Sequence, residues 1–181
     1  IAETRGISMG KDCISPAKHK EFSNPNQLMD FVKKLRKLSG NKPVGIKMCV
    51  GHPWELVSIV KTMFLRKEYV DFITIDGAEG GTGAAPAEFT DHLGSPLKDA
   101  IVFVDNALVG SNLRERVKIG VSGKIVSAFD IAHMCSLGAD WINMARPFMF
   151  SIGCIQCRSC HTGECPTGIA TMDPMRYRAI D

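Results

Sequence analysis

The sequence has few aromatic residues and no long apolar stretch. Phe, Trp and Tyr make up 7% of its 181 residues, and no apolar run approaches the roughly 18 residues that a membrane-spanning helix needs. The first residues lack the layout of a signal peptide. The net charge is only +3 at pH 7, and no run of lysine and arginine alternates with aromatics. The sequence therefore does not predict a nucleic-acid-binding surface.

An initiating methionine is also lacking. The chain starts at Ile1, and the residues up to Ile7 are typical of the interior of a protein sequence, so we expect the chain to be a fragment of a longer protein. Its length is sufficient for one domain with a buried core. The seven cysteines are odd in number and four of them are clustered. This usage favours a reducing, cytoplasmic compartment over a secreted disulfide framework.

The four clustered cysteines lie between Cys154 and Pro166, in the order Cys-Ile-Gln-Cys-Arg-Ser-Cys-His-Thr-Gly-Glu-Cys-Pro. A buried structural cysteine usually stands alone in an apolar run, whereas thiolates repeated at this spacing can surround one soft metal centre. The segment therefore predicts an iron–sulfur loop over residues 154–166, although its last gap is one residue longer than in the bacterial ferredoxin pattern. Zinc, disulfides and free thiols are the alternatives. We expect His161 to lie at the surface or to hydrogen-bond to a ligand.

Helix and strand patterns alternate four times along the chain. Helix starts are predicted at Asn24-Pro25, Pro53 and Ser95-Pro96, and at Ser127, which opens a capping box with Asp130. Short apolar strands are predicted over residues 44–50, 71–76, 118–121 and 141–144, and the first reads as covered on both faces. Residues 3–22 are predicted to be loop. The alternation predicts a parallel α/β sheet, which is either half of an eight-stranded barrel or part of a doubly wound sheet.

Three isolated cysteines accompany these elements. We expect Cys49 and Cys135 to be core residues, and Cys13 lies in the predicted loop. Lys47 interrupts the first predicted strand, and a lysine there is either a site residue or lies at the rim of the sheet, because burying its charge is costly.

A glycine-rich loop follows the second predicted strand. Asp76 and Glu79 place carboxylates at the carboxyl end of that strand, where barrels and doubly wound folds have their sites. The glycines beside them, with no Cβ, allow a ligand to approach the backbone closely. A flexible connection is the alternative. The glycines are Gly77, Gly80, Gly81 and Gly83.

The last two strands are followed by candidate phosphate-binding residues. In a barrel, the loops after those strands hold phosphate, which here gives Ser122-Gly123 and Ala145-Arg146. Backbone N–H groups can bind the phosphate and Arg146 can neutralise it. A surface cation is the alternative interpretation of Arg146.

Several of these stretches, taken in order, resemble the FMN-binding central domain of glutamate synthase, and in particular its stand-alone glutamate-synthase-like relatives. The likeness covers practically the whole chain, 1–181, as the C-terminal part of that domain. The segment Gly51-His-Pro-Trp-Glu is similar to the stand-alone relatives rather than to the large enzyme. The other matching stretches are Asp12-Cys-Ile-Ser-Pro, Lys42-Pro-Val-Gly-Ile-Lys, Asp76-Gly-Ala-Glu-Gly-Gly-Thr-Gly-Ala-Ala-Pro, Ser122-Gly-Lys, and Gly153-Cys-Ile through Cys165-Pro-Thr-Gly-Ile-Ala-Thr.

The resemblance implies a TIM-type (β/α)8 barrel, of which about the C-terminal half is present, with the cysteine loop after the last strand. It implies FMN next to a [3Fe-4S] cluster bound by Cys154, Cys160 and Cys165. Cys157 is additional to the family pattern, so a [4Fe-4S] cluster with Cys157 as fourth ligand is the alternative. Missing N-terminal strands would leave an open sheet edge.

The implied reaction reduces 2-iminoglutarate, formed from 2-oxoglutarate and ammonia, to L-glutamate. Hydride comes from reduced flavin, and the cluster passes electrons from ferredoxin or an NAD(P)H-oxidising subunit. No part of the chain resembles the glutaminase domain, so a separate glutaminase is an expected partner and the isolated chain is expected not to hydrolyse glutamine. The alternatives are a related flavoenzyme, such as one forming N-methylglutamate from methylamine, and a non-catalytic electron-transfer module.

The resemblance also implies roles for the candidate residues. Lys47 would hold the electron-rich edge of the flavin or a substrate carboxylate. Asp76 and Glu79 would hydrogen-bond to flavin or substrate N–H groups. The backbone of Gly80, Gly81 and Gly83 would lie against the flavin ring, and the phosphate would be held by Ser122, Gly123, Ala145 and Arg146.

Overall fold

The computed structural model describes residues 2–14, 18–80, 88–178 and 180. Within these ranges, no helix is long and apolar enough to cross a membrane. The strands are β1 (Ile46–Cys49), β2 (Phe72–Asp76), β3 (Lys118–Ser122) and β4 (Trp141–Asn143). The helices are α1 (Ala2–Arg5), α2 (Pro25–Leu38), α3 (Pro53–Arg66), α4 (Leu97–Gly110), α5 (Ala128–Ser136), α6 (Arg146–Ser151) and α7 (Pro174–Tyr177).

The four strands form one parallel sheet in the order β1-β2-β3-β4, which confirms the predicted parallel α/β arrangement. The order does not reverse, whereas a doubly wound sheet reverses at its switch point. Because parallel crossovers are right-handed, a sequential order places all the connecting helices on one face. Within the described residues, the connecting helices therefore cover one face of the sheet and leave the other uncovered, although Thr74 in the middle of that face is only 7% exposed.

The covered face is apolar and fully buried. Ile73, Ile75, Ile119 and Val121 are 0% exposed, because they alternate with the residues that point to the other side. Helices α2 to α5 contribute the rest of the core, whose helical members are Leu28, Met29, Val32, Leu56, Val60, Met63, Leu97, Ala100, Ile101, Val104, Leu108 and Met134.

The uncovered face carries polar residues toward its carboxyl end and aromatic residues toward its amino end. The ring of Phe72 lies over Gly45 and that of Trp141 over Gly120, where a Cβ would collide with each ring. The two rings meet edge to face with centroids 5.5 Å apart. The polar residues toward the carboxyl end of this face are Lys47, Cys49, Thr74, Asp76, Ser122 and Asn143, and Lys118 lies beside Phe72 at its amino end.

The prediction that the first strand is covered on both faces is wrong. Lys47 and Cys49 are exposed in β1, whereas Ile46 and Met48 are half-buried. Cys49 and Cys135 are exposed, so the prediction that they are core residues is also wrong. Cysteine is small and apolar enough for either side of a helix, and in α5 the neighbouring Met134 is buried in place of Cys135.

The predicted helix starts are confirmed at α2, α3 and α5. The Asn24 side chain accepts the Gln27 N–H at 3.0 Å, and Ser127 and Asp130 form the predicted capping box. Ser95 is not the cap of α4. The N-cap position is occupied by Pro96, whose side chain makes no capping hydrogen bond. Three short helices were not predicted: α1, within the region predicted as loop, and α6 and α7, each of six residues or fewer.

Candidate functional site

Lys47 and Asp76 meet at the carboxyl end of the sheet. Lys47 lies beside Thr74 in the β1–β2 register, and its Nζ reaches diagonally to Asp76 Oδ2 at 2.5 Å. The Lys47 side chain is 62% exposed and that of Asp76 35%. The lysine avoids the cost of burial because its strand lies at the edge of the described sheet, and it places a cation on the uncovered face.

Glu79 lies in the turn after β2 and is attached to α4. Its Oε1 accepts the Leu97 N–H at 2.9 Å, and its Oε2 is buried without a hydrogen-bond partner among the described residues. An ionised or neutral carboxyl oxygen in this condition is unusual, because buried polar atoms are nearly always paired. The predicted contact of Glu79 with flavin or substrate stays a prediction.

Ser122 and Gly123 adjoin this carboxyl group. The Gly77 N–H donates to Ser122 O at 2.9 Å. A Cβ on Gly123, whose φ is +154°, would lie 3.2 Å from Glu79 Oε2 and 3.4 Å from Gly77 N. The structure thus brings together three predicted site residues, Glu79, Ser122 and Gly123, with Gly77 of the glycine-rich loop at the ends of β2 and β3.

The glycine-rich loop is described only at its start. Gly80 has a φ of +72°, which favours glycine, and its N–H donates to Gly77 O at 3.3 Å. Gly81 and Gly83 lie outside the described residues. Their predicted place against a flavin ring is therefore untested.

Ala145 and Arg146 follow the neighbouring strand. Ser122 pairs with Asn143 in the β3–β4 register, so both predicted phosphate segments leave adjacent strands at the same edge of the sheet. Ala145 is the N-cap of α6 and Arg146 is its half-buried first residue. The prediction of a phosphate site here stays a prediction.

The cysteine segment follows α6 in an irregular path. Cys154 and Cys160 are half-buried, Cys157 is exposed and Cys165 is buried. Gln156 and Arg158, on either side of Cys157, both have a φ of +57°, which is uncommon for residues other than glycine. Among the described residues no group of three or more His, Cys, Asp or Glu side chains converges as metal ligands would. The predicted ligand set is thus not assembled around one point.

The Cys165 thiol lies among hydrogen-bonding groups that favour its ionised form. The Thr167 hydroxyl, 3.4 Å from the sulfur, lowers the pKa of Cys165, and the backbone N–H groups of Ala170, Thr167 and Ile169 lower it further against the effect of burial, to about 7. Thiolates are the metal-binding form of cysteine, so this residue fits a cluster ligand. The residues after Cys165 were not predicted to take part, although the sequence Thr-Gly-Ile-Ala directly after Cys165-Pro166 was a signal that could have identified them.

A groove of about 500 Å³ lies at the opposite, amino-terminal edge of the sheet. It contains none of the predicted site residues, so it is not the predicted site. Its lining residues are Met29, Val32, Lys33, Arg36, Lys67, Glu68, Tyr69, Val70, Asp71 and Arg116.

Residues 1–180 match the family described as the conserved region in glutamate synthase. The chain belongs to the glutamate synthase family. This membership confirms the resemblance drawn from the sequence motifs. A glutamate synthase large subunit-like protein of Bacillus subtilis is 46% identical over 180 residues, which are 99% of this chain and 34% of the relative. An archaeal-type glutamate synthase [NADPH] of Thermotoga maritima is 36% identical over 182 residues, which are 100% of this chain and 35% of the relative.

This member of the glutamate synthase family thus spans about a third of the length of the curated relatives that it matches. Among solved structures, a mutant flavocytochrome b2 with pyruvate bound is 18% identical and covers 76% of this chain and 44% of that one, with a TM-score of 0.33. A superposition this loose supports no statement about fold or function.

Proposed function

We propose that the protein is an FMN- and iron–sulfur-dependent oxidoreductase of the glutamate synthase type that reduces 2-iminoglutarate to L-glutamate. The observation that carries this proposal is the Lys47–Asp76 pair, which lies at the carboxyl end of parallel strands on the face that the helices leave uncovered. Sites of parallel α/β folds lie at that end. Membership of the family and the name of the Thermotoga maritima relative support the reaction.

The fold proposed for the complete protein is a TIM-type (β/α)8 barrel. Four parallel strands in sequential order, with helices on one face, correspond to half of such a barrel. The uncovered face would then line the interior, and the Lys47–Asp76 pair would lie at its mouth.

Lys47 would hold negative charge in the site, either on the flavin ring or on a substrate carboxylate. Its exposed ammonium and the adjacent Asp76 carboxylate offer a donor and an acceptor side by side. When bound, FMN would supply the hydride and the cluster would deliver the electrons that restore it. The phosphate would be held by Ser122, Gly123, Ala145 and Arg146, and the ring would lie against Gly80, Gly81 and Gly83.

The cluster ligands that we propose are Cys154, Cys160 and Cys165. Hydrogen bonds that lower the pKa of the Cys165 thiol to about 7 suit a sulfur that must bind iron as thiolate. The exposed Cys157 stands outside this set, which favours a [3Fe-4S] over a [4Fe-4S] cluster.

The proposed partners follow from the same reaction. Electrons would come from an NAD(P)H-oxidising subunit, as the name of the Thermotoga maritima relative suggests, or from ferredoxin, and ammonia from a separate glutaminase. The proposed compartment is the cytoplasm.

The deciding experiment uses the protein at its natural full length, purified without oxygen. Flavin, iron and labile sulfide are quantified, and an EPR spectrum of the oxidised protein is recorded. Turnover is then assayed with 2-oxoglutarate and either ammonia or methylamine under reducing conditions. We expect FMN, three irons and L-glutamate from ammonia. Formation of N-methylglutamate instead would show that methylamine, not ammonia, is the amino donor. Iron without flavin would indicate an electron-transfer module. Zinc without flavin would overturn the proposal.

Lys47→Met provides the test of the proposed site. Loss of the cation should lower kcat/KM about a hundredfold or more, as removal of one electrostatic donor does in other sites. The matched control is Lys61→Met, which removes an exposed cation from the solvent side of α3. Equal activity of the two variants would exclude Lys47 from the site.

A further inference from the structure

Helix α4 begins without a capping side chain of its own. Its N-cap residue is Pro96, which makes no side-chain hydrogen bond to the first turn. The first N–H groups of a helix lack intrahelical partners and need an acceptor. Glu79, which is 18 positions earlier in the sequence, supplies it, because Oε1 of Glu79 accepts the Leu97 N–H at 2.9 Å. A carboxylate is also favoured at this end by the helix dipole.

The other oxygen of Glu79 is buried and has no hydrogen-bond partner in the part of the chain that the structure describes. It is enclosed by glycines, because a Cβ on Gly77 would collide with it and a Cβ on Gly123 would lie 3.2 Å from it. An unpaired buried acceptor destabilises the fold, and the bond that Oε1 accepts from the Leu97 N–H offsets part of that cost. Glu79 thus caps α4 through one oxygen and lies close to the backbone of Gly77 and Gly123 through the other.

The segment that carries Glu79 is joined to three other elements. The Ala78 N–H donates to Ser95 O at 3.0 Å, and the Ser95 N–H donates to Val50 O at 2.8 Å. The Gly77 N–H donates to Ser122 O at 2.9 Å. Glu79 therefore lies where the carboxyl ends of β1, β2 and β3 meet the start of α4.

We propose that Glu79 is a positioning residue. It holds the start of α4 and the Gly77 and Gly123 backbone in place and acts on a bound phosphate group only through them, without touching flavin or substrate. The capping role depends only on the contacts above, whereas the effect on phosphate binding rests on the proposed function.

The test uses four forms of the full-length protein: wild type, Glu79→Ala, Glu79→Gln and the double variant Glu79→Ala/Pro96→Ser. The double variant restores a cap from within α4, since the ψ of 145° at Pro96 lies in the extended region that capping serines adopt. Glu88→Ala, which removes an exposed carboxylate from the same connection, is the matched control. FMN affinity is measured by quenching of flavin fluorescence on titration with apoprotein, together with unfolding temperature and the pH profile of kcat.

Glu79→Ala should weaken FMN binding about tenfold, since loss of a cap costs an amount of this order, and should lower the unfolding temperature. Glu79→Gln keeps an acceptor for the Leu97 N–H and should recover most of both. The double variant should also recover both, and kcat at saturating FMN should keep its pH profile in every form.

Recovery of the unfolding temperature but not of FMN affinity in the double variant would overturn the proposal, because Glu79 would then touch the ligand. A changed pH profile in Glu79→Gln would overturn it in the same way. An unfolding temperature unaltered by Glu79→Ala would show that the cap carries no stability. If wild type binds no FMN, the proposed function fails, and the unfolding temperatures still decide whether Glu79 caps α4.

Discussion

At the amino-terminal end of the sheet, Asp71 and Asp140 each accept a backbone N–H from another segment and pair with an arginine. Asp71 Oδ2 accepts the Val44 N–H and pairs with Arg36, each at 2.7 Å. Asp140 Oδ2 accepts the Ile119 N–H at 2.7 Å and lies 2.9 Å from Arg114. Burial opposes the ionisation of both carboxyls, but these contacts outweigh it and lower their pKa below the ordinary value of 3.8. Each aspartate thereby fixes the start of a neighbouring strand.

Asp140→Asn should therefore destabilise the chain in a pH-dependent way. The variant loses the charge that faces Arg114, and we expect unfolding to become easier by about 2 kcal/mol at pH 7, as for other hydrogen bonds to charged groups. Because the pKa of Asp140 is lowered on folding, its contribution is complete above pH 3.8 and is lost as the pH falls through the folded-state pKa. Urea unfolding at pH 7 and in acid measures the difference, which should shrink below pH 3.8.

The control for this comparison is Glu115→Gln, which alters an exposed carboxylate in the loop before β3. It should change stability by less than about 0.5 kcal/mol. A pH-independent effect of Asp140→Asn would contradict the assigned cause.

Thr167→Val should raise the pKa of the Cys165 thiol. Valine keeps the shape of threonine but removes the hydroxyl that contributes most to the lowered value of about 7. In cluster-free protein, alkylation of Cys165 by iodoacetamide, followed peptide by peptide with mass spectrometry, should begin at higher pH in the variant. Ser159→Ala, whose hydroxyl contacts Cys157 O instead, should leave the alkylation of Cys165 unchanged. An equal onset in all three proteins would contradict the assignment.

At the scale of single elements, asparagine-to-alanine substitutions at α2 and α4 should have different effects on stability. Asn24→Ala removes the cap that accepts the Gln27 N–H and should destabilise the chain by about 1 kcal/mol. Asn106→Ala changes an exposed position inside α4 and should be neutral or slightly stabilising, because alanine has the higher helix propensity. Thermal unfolding of both variants measures the contrast, and a similar loss in both would contradict the capping role.

The cysteine segment offers a second test at this scale, which rests on the proposed cluster. Cys165→Ser should abolish iron and labile sulfide binding, because it removes the buried thiolate. Cys157→Ser should retain both, because Cys157 is exposed. Iron and sulfide analysis with EPR of the oxidised protein measures the outcome. Loss of iron from Cys157→Ser would make Cys157 a ligand and the cluster a four-iron one.

Helix starts were predictable from the sequence where the cap is local. Asn24 and Ser127 bond within three residues of themselves, so a short window contains the whole signal. The start of α4 was assigned to the wrong residue because its cap, Glu79, lies far away in the sequence. The site shows the same limit: polar residues at strand ends were identified, but the pairing of Lys47 with Asp76 depends on strand register.

For the whole molecule, the extent of exposed surface is the distinctive feature. The chain exposes 12087 Å², roughly 40% more than the approximately 8,600 Å² of a compact monomer of its mass.

The sequence predicted the strands and their parallel order, since these follow from local apolar runs and short connections. An unburied Lys47 was expected from the cost of burying its charge, but exposure of Cys49 was not, because the apolar run around it has the composition of a strand covered on both faces.

Among the described residues, β1 has no strand on its outer side, and in the proposed barrel further strands would pack there. Exposed edges are normally protected in native folds, and in a parallel ladder alternate residues of an edge strand direct their N–H groups away from the neighbour. We therefore expect the outward amides of β1 to exchange rapidly in the 181-residue chain and slowly at natural full length. Amides of β2 and β3, which lie inside the sheet, should be protected in both forms. Hydrogen exchange followed by NMR measures this residue by residue, and equal exchange of the β1 amides in the two forms would contradict the barrel.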